Sequence, residues 1–160
     1  MSSEYLSIVE KILSNRKYQK LKNETHHHNS NRYKHSLEVS YLSYKIAKKM
    51  NLDYESVARA GLVHDLFFDK EIPNKGKRLI KHYQKSITNA EKLIKLNDME
   101  KNIISSHMFP IGGTLPKYKE SILVDMIDDY VSIKEKVSGD LKSLQTAAMF
   151  ITVVITNFLR

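Results

Sequence analysis

Apolar residues recur at helical spacing along nearly the whole chain, and no stretch alternates cleanly enough to predict a strand. Leu6, Val9, Ile12 and Leu13 form the first apolar stripe, and the polar stretch NRKYQKLKNETHHHNSN (15–31) reads as a loop or a frayed helix end. From about Ser30 to Met50, His35, Val39, Leu42 and Ile46 share one helix face. Asn51-Leu52-Asp53 breaks that pattern, and Asp53 is placed to cap a helix through YESVARAGLVHDLFF (54–68), in which Val57, Gly61, His64 and Phe68 lie together. EIPNKGK (71–77) reads as a loop by its Pro and Gly. HYQKSITNAEKLIKL then resumes helical spacing. Asp98 is positioned to cap a further helix that carries Ile103, Ile104 and His107 and ends at Pro110. After the turn-rich IGGTLP (111–116), KYKESILVDMIDDYVSIKEKV predicts a long helix. Its apolar stripe reads as Ile122, Met126, Ile127 and Tyr130, continued by Ile133 or Val137. Ser138-Gly139-Asp140 ends it and caps a last apolar helix over about 140–159. The expectation is an all-α, compact bundle of about six to eight helices in one domain, with a motif-bearing core over about 25–135.

Composition narrows this picture without redirecting it. The chain has 160 residues, of which 41% are apolar and 28% charged, and only five Gly and three Pro argue against a loop-rich β fold. Its length suits a single core that buries about two thirds of the unfolded surface. The absence of cysteine excludes disulfides and thiolate ligands and fits a cytoplasmic location, so any metal must be held by histidine and carboxylate. MSSEYLSIVEKIL has acidic residues among its apolar ones and reads as an amphipathic helix instead of a signal peptide. AAMFITVVITNFL (147–159) is shorter than the roughly 20 residues needed to span a bilayer. It reads as a buried or homodimer-forming helix, and no transmembrane segment is expected.

The net charge of +8 is concentrated beside one motif. Residues 69–85 hold six basic side chains against Asp69 and Glu71, and among them Lys70, Lys77, Arg78 and Lys81 are candidates to bind phosphate. No basic recognition helix or interleaved aromatic platform accompanies the charge, which argues against nucleic acid as partner. A lone histidine on an apolar helix face is usually a hydrogen-bonded core residue. Here, however, His35, the His64-Asp65 pair, His82, His107 and an aspartate of VDMIDDY follow one another on successive predicted helices. A divalent cation would compensate the burial of Asp65, since neutral imidazoles and carboxylates are ordinary ligands for such ions.

This order of residues resembles the HD-domain superfamily of metal-dependent phosphohydrolases, and in particular a small bacterial single-domain subgroup. RYKHSLEVSYLSY is similar to its first motif helix, ARAGLVHDLFF to its HD helix and KHYQKSITNAEKL to the next. SSHMFP and ESILVDMIDDYVSIKE are similar to the two that follow. The resemblance implies that His35, His64, Asp65 and one later aspartate hold a first metal, with His82 and His107 completing a second site and Asp65 placed to bridge. His28 matches a further histidine of the subgroup. Asp128 is favoured as the distal acid by its spacing from Glu120, with Asp125 the alternative and Asp129 standing where many relatives carry lysine.

The implied activity is hydrolysis of a phosphate ester or anhydride of a nucleotide or other small phosphorylated metabolite. One or two divalent ions (Mn, Fe, Mg, Ni, Co or Zn) would serve as cofactor, with Asp65 and His64 as the catalytic pair. HMFPIGG lacks the extension of the cyclic di-nucleotide branch. Two alternatives stay open: a di-iron oxygenase of the same superfamily, and a non-catalytic module that binds nucleic acid or a signalling ligand.

Overall fold

The computed structural model describes residues 1–25 and 30–136, with the isolated positions Met149 and Thr152; for Lys75, Lys77, Leu79 and Ile80 it describes the main chain only. The expected helix over about 140–159, His28 and the Lys77 side chain therefore lie outside the described residues. Within them the chain forms seven α-helices and no strand: α1 Ser3–Leu13, α2 Arg16–Gln19, α3 Arg32–Lys49, α4 Tyr54–Val63, α5 Lys75–Ala90, α6 Asp98–Ser106 and α7 Lys119–Lys136. Two short 3-10 turns, Lys20–Asn23 and Asp69–Glu71, complete the described elements. No helix among the described residues is long and apolar enough to cross a membrane.

The centre of the bundle is the seam between α3 and α4. Ser36, Ser40 and Ser43 on α3 are buried, as are Ala58, Ala60 and Gly61 on α4. These small side chains let the two backbones approach closely. A Cβ added at Gly61 would lie 3.1 Å from the Ser40 Cα. Ser40 Oγ donates to the Ala58 carbonyl at 2.6 Å and lies 2.8 Å from the buried Tyr5 hydroxyl, so α1 is bonded into the same contact. Val57, Leu62, Ile103 and Ile104 join α6 to α4, and Leu123, Val124 and Ile127 bring α7 against α3 and α6.

Polar residues set the ends of these elements. After α3, Asn51 adopts a left-handed conformation (φ 54°), which asparagine tolerates, and the Leu52 N–H returns to the Ala47 carbonyl at 3.0 Å. The expected cap at Asp53 is present, its carboxylate accepting from the Ser56 N–H at 3.0 Å.

Several expectations need correction. Within the stretch expected to be a loop or a frayed helix end, residues 15–25 instead form a separate helix and a 3-10 turn: Asn15 caps α2 through the Lys17 N–H, and Tyr18 and Leu21 are fully buried. The helix after EIPN begins at Lys75, inside the expected loop, because Pro73 stops the preceding chain and the Asn74 carbonyl accepts from Arg78 N–H at 3.1 Å. Asn97, not Asp98, caps α6, in a reciprocal box with Glu100. On α7 the buried face carries Glu120, Leu123, Val124, Ile127, Asp128 and Val131, while Ile133 is exposed. The sequence stripe was rotated from this face because two of its members are acids. Finally, α4 stops at Val63 and α6 at Ser106, each one residue before a histidine.

Candidate metal centre

Those two early stops build the site. A helix leaves its last four carbonyls without intrahelical partners. His64 Nδ1 takes the Gly61 carbonyl at 2.8 Å, and His107 Nδ1 takes the Ile104 carbonyl at 2.7 Å. Each imidazole thus folds back on its own helix end, and the chain turns away immediately after it. His82 lies inside α5, not at its C-terminal end, and its Nδ1 reaches one residue further back, 2.6 Å from the Arg78 carbonyl. Carbonyl oxygens only accept, so all three Nδ1 atoms carry the proton and all three Nε2 atoms present a lone pair.

The lone pairs converge. His82 Nε2 and His107 Nε2 lie 2.7 Å apart, and Asp65 Oδ1 is 3.3 Å from the first and 3.6 Å from the second. His64 Nε2 is 3.5 Å from Asp128 Oδ1 and has no hydrogen-bond partner although it is fully buried. His35 Nε2 lies 2.7 Å from Asp128 Oδ1. On the far side of that ring, Nδ1 meets Glu135 Oε2 at 3.2 Å, and Glu135 in turn accepts from Ser30 Oγ. Two groups of donor atoms are close enough to share an ion: His35, His64 and Asp128, and His64, Asp65 and His107. All five residues are buried.

Two of these contacts test whether a cation suits the site. Facing lone pairs at 2.7 Å repel unless a positive charge, a proton or a metal ion, lies between or beside them. A buried imidazole nitrogen with no partner costs the desolvation of that atom unless it binds something. A divalent cation answers both, and histidine with carboxylate is a donor set of the right chemistry for a first-row metal. The pairing of His35 Nδ1 with Glu135 is the kind of outer contact that orients a ligating imidazole.

Titration follows the same geometry. Burial opposes charge on His35, but its hydrogen bonds to Asp128 and Glu135 outweigh it and raise the imidazole to about 10. Burial likewise pushes Asp128 up, and His64 and His35 beside it win, holding the carboxyl well below the usual range. His107 is raised by Asp65 against the opposing effect of burial, whereas burial lowers His82. Asp125, half-buried on the same helix, is pushed up to about 7 by burial first and then by the charge of Asp129.

The structure thus brings together His35, His64, Asp65, His82, His107 and Asp128. Asp125 belongs to neither donor group. Asp129 is exposed. Lys70 and Lys81 are also exposed, Lys81 lining a shallow cavity of about 380 Å³ with Glu71, Ile72, Gln84, Lys85 and Thr88. Arg78 is committed to Asp69, at 2.7 Å, and to the carbonyls of Ile72 and Asp69. Glu135 was not foreseen, although it lies two helical turns beyond Asp128 and so shares its face. Arg32 also packs behind the site, its guanidinium 3.9 Å from the Phe67 ring centroid and bonded to Glu24 and Asp69.

A family model described as HD domain matches residues 32–133. That span runs from the first residue of α3 into the last turn of α7 and contains all six converging side chains. No curated protein and no solved structure matches the chain.

Proposed function

We propose, from the premise that this chain belongs to the HD-domain family, that its buried centre makes it a metal-dependent phosphohydrolase. The substrate would be a phosphate ester or anhydride of a nucleotide or another small phosphorylated metabolite. The observation that carries this reading is the convergence of the His64, His82 and His107 lone pairs on Asp65 and Asp128, with each Nδ1 tied to main chain. His35, His64, Asp65 and Asp128 would hold one cation; His82 and His107, with Asp65 between, would hold a second. A bound divalent cation supplies a water of lowered pKa and a positive centre for phosphate oxygens.

The chain's own groups do the rest. Asp65 would orient the attacking water and take its proton, which passes to the leaving-group oxygen as its bond to phosphorus breaks, while His64, aimed by the Gly61 carbonyl, stays fixed. The positive charge of Lys70, Lys77 and Lys81, close in sequence to the His64-Asp65 pair and to His82, would attract an anionic substrate. Arg78 contributes less to that field than its sequence position suggests, because Asp69 neutralises it. Asp128 is the better distal ligand than Asp125, since it alone meets both His35 and His64.

The test is elemental analysis of protein purified without chelator, followed by phosphate release from a panel of phosphoesters and nucleotides with added Mn, Mg, Co, Ni or Fe. Asp65→Ala is the control. Metal at one or two equivalents with phosphate release above that control is the expected result. A protein that holds no metal and releases no phosphate above Asp65→Ala overturns the proposal. Retained iron with oxygen uptake and no phosphate release overturns it in favour of oxidative chemistry.

A further inference from the structure

Asp69 stands four residues beyond Asp65, outside the centre, and its two oxygens are divided between two arginines. Oδ1 takes Arg32 Nη2 and Oδ2 takes Arg78 Nη1, both at 2.7 Å. Arg32 opens α3 three residues before His35, and Arg78 lies on α5 four residues before His82. One carboxylate therefore ties together three segments that carry converging side chains: α3, the corner of residues 64–71 after α4 (the HD corner) and α5.

The link toward His82 is the tightest. Arg78 is fastened to the 69–72 turn by Nη1 on the Asp69 carboxylate, by Nη2 on the Asp69 carbonyl at 3.2 Å and by Nε on the Ile72 carbonyl at 2.6 Å. The carbonyl of that same Arg78 accepts His82 Nδ1. The acceptors of His64 and His107 lie near the C-terminal ends of α4 and α6, beside the fully buried Leu62, Val63, Ile103 and Ile104. The acceptor of His82 lies instead in the first turn of α5, a helix end of the kind that frays most easily. Something must hold that turn against the HD corner, and the Asp69–Arg78 contact does so from outside the ligand set.

On this basis, and resting on the metal-site reading above, we infer that Asp69 is a positioning residue for His82. By holding Arg78, it fixes the α5 turn so that His82 Nε2 stands 3.3 Å from Asp65 Oδ1. Half-exposed ion pairs add little to global stability, so the effect belongs in ligand geometry more than in folding.

The experiment measures Co²⁺ affinity of the full chain by its visible absorption, for Asp69→Asn in the wild-type and His82→Ala backgrounds. Asp69→Asn is expected to weaken Co²⁺ binding by about 10-fold in the wild type, the lower end for outer-shell substitutions. In His82→Ala it should change affinity by less than about twofold, because the residue it positions is gone. Equal losses in both backgrounds would mean a merely structural role and overturn the inference, as would an unchanged affinity in the wild-type background. Arg78→Gln should reproduce the loss without adding to that of Asp69→Asn, and it stands in if Asp69→Asn fails to fold. Failure of the wild type to bind Co²⁺ would instead overturn the metal reading beneath it.

Discussion

Replacing Gly61 by alanine tests the α3–α4 seam and the site it supports in one step. Glycine inside a helix is about 0.8–1.0 kcal/mol less favourable than alanine, so propensity alone would make Gly61→Ala stabilising. The seam opposes this. The new Cβ would stand 3.1 Å from Ser40 Cα and 3.5 Å from Ser40 N, both main-chain atoms of a neighbouring helix that cannot rotate aside. Ser40 is further held by its bonds to the Ala58 carbonyl and to Tyr5. Overpacking of a tight core typically costs about 1–3 kcal/mol. Subtracting the propensity gain leaves a net loss of about 1 kcal/mol, which for a chain of this size lowers Tm by about 2–4 °C. The assay is thermal melting of chelator-treated protein by circular dichroism. Gly76→Ala is a control of opposite sign, because a Cβ there meets only the Asn74 side chain at 3.4 Å. The same expansion moves α3 away from α4, and with it His35 from His64, whose rings now stand 5.5 Å apart. Co²⁺ affinity should fall together with Tm. A Gly61→Ala protein that melts higher than wild type would refute the argument that this contact is tight.

Three further outcomes are expected. Asp128→Asn should abolish bound metal, whereas Asp125→Asn should retain it, as read by elemental analysis after desalting; the reverse result would move the distal ligand one turn back. Asp125 titrates at about 7 because burial and Asp129 disfavour its charge, so its folded-state pKa is raised and ionising it weakens the fold. The chelator-treated Asp125→Asn protein should therefore match wild type near pH 4 and melt progressively higher than it as pH rises toward 7, then keep that margin; a margin largest in acid would contradict the sign. Asn102 accepts from Lys117 N–H and Ser121 Oγ and donates to the Leu115 carbonyl. Asn102→Ala should thus cost about 1 kcal/mol in denaturant unfolding, chiefly by leaving the buried Ser121 hydroxyl without its acceptor, since Leu115 and Lys117 are exposed to water.

The sequence made the chemistry more legible than the boundaries of the elements that carry it. His35, the His64-Asp65 pair, His82 and His107 could be read because ionisable side chains at apolar helix positions conflict with burial unless something compensates them. The ends of α4 and α6 could not, since each is closed by the histidine's own ring bonding to a carbonyl, an interaction that leaves no mark in hydrophobic spacing. On α7, periodicity failed for the reason the site exists: the inward face includes Asp128 and Glu120, so an apolar stripe points beside it. Glu135 was invisible to the same logic, being one more acid on a charged helix end until His35 is seen next to it. In the stretch around Tyr18 and Leu21, two fully buried side chains outweigh a polar average that suggests a loop or a frayed helix end.

The donors also come from opposite ends of the described core. His35 and Asp128, in contact through a single oxygen, are separated by 93 positions in the chain. No nascent or truncated chain that lacks α7 can assemble the full donor set, however well α3 and α4 have paired. Bringing such distant segments together carries a loop-closure cost that neighbouring helices do not face, which puts this contact among the slower ones to form. A cation with high affinity for the complete set and little for its parts would then report the docking of α7, discriminating molecules in which the site is closed from those still waiting for that helix.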